Sequence, residues 1–310
     1  VISGDFVFVG DLGRPDLLET AAGIENTSDQ AARQLASSAR RFLGLPDFLQ
    51  VWPAHGAGSA CGKALGAVPQ STVGYESRFN PMLGLAEDEP AFVETILGGQ
   101  PEPPAYFARM KAWNRDGVPV LGSLPEPVEI SVEEIESGLD PELRVVDLRP
   151  WTEFRSRHLP GSIWSARGVM FLGAVGSYVE PEEPIALVVE SEAQLRFVRS
   201  LVRIGLDRIT HVIRPESITA ATIGMATTAE VSGEEMRDIL EREPNRTVLD
   251  VRRAAEWMNG HVDGAVNIAH TRLVPRLDEI PQEGPILVYC AGGIRSAMAA
   301  SELERRGISA

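Results

Sequence analysis

Cys290 is the side chain best placed for covalent chemistry, because it opens the run Cys290-Ala-Gly-Gly-Ile-Arg295-Ser296. An apolar stretch, Ile286 to Tyr289, carries strand character into the cysteine, and Ile294 opens a segment whose apolar residues, through Met298 and Leu303, recur at helical spacing. A thiol between a strand end and a helix start sits among unpaired backbone N–H groups at the positive end of the helix dipole. Such surroundings lower a cysteine pKa from about 8.5 to between about 3.5 and 7.5. Gly292 and Gly293 let the turn curl with its amides inward, and Arg295 adds a permanent cation with a planar fork of donors. Cys290 is therefore the candidate nucleophile. Arg295 and the amides of Ala291, Gly292, Gly293 and Ile294 are the candidate anion cradle; a buried structural cysteine packs as a small hydrophobe and lacks such neighbours.

The elements that must hold this loop occur twice. Glu129-Ile-Ser-Val-Glu-Glu134 matches Glu230-Val-Ser-Gly-Glu-Glu235, each a Ser-x-x-Glu capping box. Val145-Val-Asp147-Leu-Arg149 matches Val248-Leu-Asp250-Val-Arg252. His158-x-x-Gly161 matches His261-x-x-Gly264, with the His eleven residues after the Asp in both. Strands alternating with helices predict α/β domains with parallel sheets and helices on both faces. Pro-rich text from Gly117 to Pro127 marks a boundary, which gives three segments, 1–125, 126–226 and 227–310. Aligning Val188-Val189 with Val288-Tyr289 sets Glu190 opposite Cys290, so the first repeat is expected to be silent: a carboxylate suits a helix N-terminus but repels an anion. Both repeats keep the His while one lacks the nucleophile, so His158 and His261 are expected to be structural. Asp250 and Arg252 are expected to brace the loop. The first repeat continues past Gly205 into a strand, Arg208 to Ile213; the second stops at Ala310 and is expected to lack it.

In the first segment Asp5 to Gly10 reads as a strand, Ser28 or Asp29 to Leu43 as a helix, and Leu49 to Pro53 as a strand presenting His55. Asp5 and His55, a carboxylate and an imidazole at strand ends, have the chemistry of iron or zinc ligands. Cys61, six residues after His55, is either a relay or gating thiol, with Lys63 favouring its thiolate, or a loop cysteine without a role. Arg14 is either a substrate-anion contact or a loop-structuring ion pair.

With 310 residues, 44% of them hydrophobic, two or three cores are expected. A net charge of −15 without a basic cluster argues against a nucleic-acid partner; Arg40-Arg41 and Arg305-Arg306 read as helix-end solvation. No apolar run approaches the roughly 18 residues that span a bilayer, so no membrane partner is expected. Two cysteines far apart predict a reducing, cytoplasmic setting. The oligomeric state stays open, a homo-oligomer included.

The Asp-x-Arg motifs, His261-x-x-Gly-Ala-x-Asn267 and the Cys290 to Arg295 loop resemble the rhodanese sulfurtransferases, in tandem. That resemblance implies that Cys290 takes a sulfane sulfur, becomes a persulfide and passes the sulfur on. Phosphatases of related fold have one more residue between Cys and Arg than the four found here, which favours sulfur over phosphate as cargo. The first segment, through Ser3-Gly-Asp5, Gly13-Arg14-Pro-Asp16, Pro53-Ala-His55 and Arg78-Phe-Asn-Pro81, resembles the C-terminal part of a metallo-β-lactamase αββα fold, as in persulfide dioxygenases and glyoxalase II-like hydrolases. This implies Asp5 as a metal ligand, with His55 at or beside the metal. The cofactor implied is non-haem iron, alternatively zinc, on condition of a His-x-His-x-Asp-His signature upstream of Asp5; the five histidines (55, 158, 211, 261, 270) contain no such cluster. The combination resembles persulfide dioxygenase–sulfurtransferase fusions of bacterial sulfide detoxification, with a small-molecule thiol persulfide, thiosulfate or sulfite as partners. A zinc-dependent thioester hydrolase fused to rhodanese, and a non-enzymatic persulfide-sensing or docking module, are the alternatives.

Overall fold

A computed structural model describes residues 1–20, 26–57, 59, 61–63, 65–100, 102–136, 142–221 and 224–310. They form two compact units, Val1–Pro103 with Phe107–Ala112, and Pro104–Tyr106 with Trp113–Ala310. Both are α/β. No helix among the described residues is long and apolar enough to cross a membrane.

In the first unit β1 (Ile2–Gly4), β2 (Val7–Phe8), β3 (Asp11–Leu12), α1 (Leu17–Thr20) and α2 (Ser28–Leu43) lead to β4 (Gln50–Pro53) and β5 (Ser71–Thr72). Then come α3 (Val73–Phe79), α4 (Pro81–Gly84), α5 (Glu89–Leu97) and α6 (Phe107–Asp116). Strand β4 is central, parallel to β1 and antiparallel to β5, while β2 and β3 make a separate hairpin. Ala32, Ala36, Ala39 and Phe42 recur at helical spacing and bury one face of α2 among Phe92, Val93 and Ile96 of α5. The single strand expected over Asp5 to Gly10 is broken. Phe6 N–H donates to Ser3 O at 3.0 Å and Ser3 Oγ to Val7 O at 2.7 Å, so the chain turns at Asp5.

The first repeat, in the second unit, contains β6 (Val128–Glu129), α7 (Val132–Glu136), β7 (Arg144–Asp147), α8 (Trp151–Ser156), β8 (Ile163–Trp164), α9 (Phe171–Tyr178), β9 (Ile185–Val188), α10 (Ser191–Val202), β10 (Ile209–Ile213) and α11 (Pro215–Ala220). Its sheet runs β6-β10-β9-β7-β8, every pair parallel. The second repeat has α12 (Gly233–Arg242), β11 (Val248–Asp250), α13 (Ala254–Met258), β12 (Val266–Asn267), 3-10 turns at His270–Arg272 and Val274–Glu279, β13 (Leu287–Tyr289) and α14 (Ile294–Arg305). Its parallel sheet runs β12-β11-β13. Consequently β9 is wholly buried between two neighbours, whereas β13 is half-buried.

The capping boxes form with matching geometry: Ser131 N–H to Glu134 at 2.7 Å and Ser232 N–H to Glu235 at 2.7 Å, each with its reciprocal bond at 3.2 Å. Helix α14 packs on β8, where Ser301 Oγ accepts the Trp164 N–H at 2.9 Å. Thr228 Oγ1 donates to Glu304 at 2.7 Å close by. Arg305 and Arg306, expected as solvated helix-end charges, instead turn onto the fully buried Glu302 at 2.6–2.8 Å. A buried carboxylate demands such partners.

Candidate functional site

Parallel register places Cys290. Asp250 pairs with Tyr289 across β11 and β13, and Val251 N–H donates to Tyr289 O at 3.0 Å, so the cysteine emerges where the sheet ends. The turn then closes on Gly293, whose φ of +86° and ψ of −29° lie in the left-handed region that favours glycine. This conformation aims the Gly293 N–H at Cys290 Sγ, 3.1 Å away. Ser296 Oγ, one turn into α14, lies 3.6 Å from the sulfur and 2.9 Å from Gly293 O. Burial pushes the Cys290 thiol up, but the Ser296 hydroxyl and the amides of Ser296, Gly292 and Gly293 outweigh it and hold the thiol below its ordinary value. The amides that lower the thiol pKa include those of Gly292, Gly293 and Ser296; Ala291 lies in the turn and Ile294 opens α14.

Arg295 is held by a carboxylate beside the thiol. Its guanidinium forks onto Glu256 of α13 at 2.5 and 2.8 Å, and Glu256 Oε2 also accepts the Arg253 N–H at 3.2 Å. The guanidinium so held also bears on Cys290, so Arg295 stands at the thiol with its charge shared between Glu256 and the sulfur. His270 lies against the same pair. Its buried Nδ1 has no partner among the described residues, and burial, reinforced by the Arg295 and Arg253 cations, pushes its pKa down to about 4. The imidazole is neutral at physiological pH. Sequence reasoning misses Ser296, Glu256 and His270; the recurrence of Glu153 and Glu256 is the one signal available.

Asp250 and Arg252 form a closed fork at 2.6–3.0 Å, and Arg252 also donates to Gly260 O. Asn267 Nδ2 donates to the carbonyls of both residues at 3.0 Å. This bracing holds the segment after α13 and, through the Arg252 guanidinium over the Tyr289 ring, the strand end before Cys290. His261 stacks on Trp257 and bonds its carbonyl through Nδ1 at 3.0 Å; His158 does the same with Phe154 at 2.8 Å. Each imidazole serves to close its local turn.

The strand register corrects the alignment of Glu190 with Cys290. In the first repeat Asp147 pairs with Val188, as Asp250 does with Tyr289, so Val189, not Glu190, stands where Cys290 does. Glu190 is instead the residue before α10 and forks with Arg167 at 2.6 and 2.7 Å. Sequence matching misses this because the intervening turns differ in length.

In the first unit, β1 and β4 end side by side, with Ala54 N–H donating to Gly4 O at 3.0 Å. Asp5 and His55 follow those ends, and His55 Nε2 lies 3.0 Å from Asp5 Oδ1. A cavity of about 260 Å³ opens beside them, lined by Asp5, Arg14, Cys61 and Lys111 among others. Gly13 permits this packing, since a Cβ there would stand 1.8 Å from Asp5 O. Arg14, nearly fully buried, forks onto Asp16 at 3.0 and 2.6 Å. Lys63 does not attend Cys61: its ammonium donates to Thr95 O at 2.6 Å. Lys111, whose ammonium burial pushes down, is the lysine on the cavity wall. Asn80 caps α4 and donates to Asp11 O and Glu76, so the Arg78-Phe-Asn-Pro81 motif has a bracing function here.

Asp5 and His55 have the donor chemistry that iron and zinc take, but two donors do not close a site. Among the described residues no group of three or more His, Cys, Asp or Glu is arranged to hold a metal.

Residues 232–309 match the family model of the rhodanese-like domain. Over 60 residues the chain is 38% identical to Uncharacterized protein YqhL of Bacillus subtilis, covering 19% of this chain and 48% of that protein. It is 33% identical over 60 residues to thiosulfate sulfurtransferase GlpE of Shewanella oneidensis, covering 19% of this chain and 59% of that one. The crystal structure of a metallo-beta-lactamase from Staphylococcus aureus superposes with a TM-score of 0.59 at 34% identity, covering 69% of this chain and 57% of that chain. The chain thus spans about half the length of each.

Proposed function

We propose that this chain, a fusion of a metallo-β-lactamase-like unit with rhodanese-like repeats, transfers sulfane sulfur through Cys290. The observation that carries the reading is the sulfur's hydrogen-bond environment: a thiol at a helix start with the Gly293 N–H at 3.1 Å and a pKa held down by donors. Cys290 thiolate attacks the outer sulfur of a donor such as thiosulfate. A sulfur–sulfur bond forms to Cys290, the donor's sulfur–sulfur bond breaks, and sulfite leaves with the electron pair. The turn's amides then hold the terminal persulfide anion as they held the thiolate. An acceptor nucleophile, a thiolate or cyanide, takes the outer sulfur and returns Cys290 to its thiolate. Glu256 keeps the Arg295 cation beside Cys290, where it favours the thiolate, and neutral His270 adds no further charge.

Thiosulfate:cyanide transfer tests the reading. The wild-type chain is expected to form thiocyanate and to carry one extra sulfur atom on the Cys290 peptide, while Cys290→Ala, still folded by circular dichroism, forms thiocyanate at the rate of buffer. Turnover that survives Cys290→Ala refutes it.

A second reading concerns the first unit, where the Asp5–His55 pair at the cavity favours metal-dependent chemistry on a persulfide or thioester. The ligand set in these residues is partial. Metal analysis of a chain that carries upstream histidine ligands separates the options: one iron supports dioxygenase chemistry, two zinc ions a hydrolase.

A further inference from the structure

We propose that Arg253 receives the anionic group of the sulfur donor at the Cys290 loop, so that the site selects donors carrying a sulfonate or carboxylate next to the sulfane sulfur. The assignment rests on the sulfurtransferase reading of that loop. A thiolate and a thiosulfate dianion repel each other, and their encounter needs a positive charge that is free to be used. The arginines of this repeat that adjoin the loop and its sheet are mostly spoken for. Arg252 forks onto Asp250, Arg276 onto Glu279 at 2.7 Å, and Arg295 onto Glu256.

Arg253 differs from all three. Its side chain is exposed, and among the described residues its guanidinium has no acceptor. Its place in the cluster is fixed by its backbone, because the Arg253 N–H donates to the same Glu256 carboxylate that anchors Arg295. The Arg253 and Arg295 charges both bear on His270. The first repeat is a built-in control. The residue before α8, in Arg253's place after the same Asp-x-Arg fork, is Pro150, and the turn lacking a cysteine also lacks the cation. There, Arg167 is neutralised by Glu190. The unpaired guanidinium accompanies the thiol and is absent where the thiol is absent.

The test uses the full chain and two alkylating probes, anionic iodoacetate and neutral iodoacetamide, with modification read at the Cys290 peptide by mass spectrometry. Arg253→Ala is expected to slow iodoacetate about five- to tenfold, the worth of one charge-assisted contact, and to leave iodoacetamide unchanged. Arg253→Lys is expected to keep most of the iodoacetate rate and Arg253→Glu to lower it further. KM for thiosulfate should rise with the iodoacetate effect while kcat holds. Equal slowing of both probes, which would make Arg253 a support for the thiolate or the fold, overturns the proposal, as does no change in either. Iodoacetate selectivity in a chain without thiosulfate turnover would overturn the sulfurtransferase reading and support the anion site alone.

Discussion

The two repeats share a scaffold down to individual bonds. Arg149 forks onto Asp147 and donates to Arg157 O just as Arg252 forks onto Asp250 and donates to Gly260 O. Each histidine stacks on the aromatic four residues before it, and the opening helix of each repeat is capped by the same Ser–Glu exchange. Beyond the extra strands of the first sheet, the difference at the sulfur position lies in one turn. Helix α10 starts two residues after Val189, while α14 starts four residues after Cys290. The longer turn has room for a left-handed glycine and an amide aimed at sulfur; the shorter one goes straight into the helix behind a carboxylate forked by Arg167. The paired repeats teach that the fork, the stacked histidine and the three central parallel strands are architecture, common to both, and that what sets the sulfur position apart is turn length, one backbone conformation and the pattern of unpaired charge.

The comparison breaks if the turn is dispensable. In a Cys290→Ala chain, Val189→Cys is expected to give no thiosulfate:cyanide transfer at all, since a thiol at that position meets a shorter turn; restored thiocyanate formation would show that the nucleophile alone is what the first repeat lacks. The backbone conformation is sharpened by a glycine pair. Gly293→Ala forces a side chain into the left-handed region at about 1–2 kcal/mol, so persulfide formation in stopped-flow assays is expected to slow roughly tenfold. Gly292→Ala should behave as wild type, because a Cβ there meets nothing within 4 Å. Parity between the two variants would remove conformation from the account. The smallest effect is expected from Ser296→Ala. Donors depress the Cys290 pKa, so the thiolate, and with it reactivity, is present from a lower pH than for a free thiol. Losing one donor moves the inflection of the iodoacetamide rate–pH profile to higher pH, with a few-fold slower alkylation on its acid side, about 1 kcal/mol. The hydroxyl has one proton and two acceptors, Gly293 O and Sγ, which keeps the shift modest. An inflection that stays in place would assign the depression to the amides.

Much of this is legible in the sequence because it is periodic or local. The α/β class, the repeat, the capping boxes, the strand into Cys290 and the glycine turn all follow from patterns within a dozen residues. The convergence of Asp5 and His55 follows from strand ends, although the turn at Asp5 that makes it possible has no sequence signal. What escapes is set by geometry between segments. The Arg295–Glu256 fork joins residues far apart in sequence, and neither residue type announces the other. Val189's equivalence to Cys290 is fixed by strand register, which a turn of altered length conceals. Proximity in sequence pairs Lys63 with Cys61, whereas the backbone N–H of Lys63 is held by Asp11 at 2.8 Å and its ammonium points to Thr95.

Ser301 accepting the Trp164 N–H has a consequence for engineering and for evolution. The helix whose first turn holds the sulfur also seals, further along, the outer strand of the neighbouring sheet. Separating the second repeat as a minimal sulfur carrier would bare β8, a strand edge of the kind that templates aggregation, and would expose the buried Glu302 to water. The cysteine-free repeat therefore supplies the surface on which α14 packs, and the pair is expected to be expressed and purified as one piece.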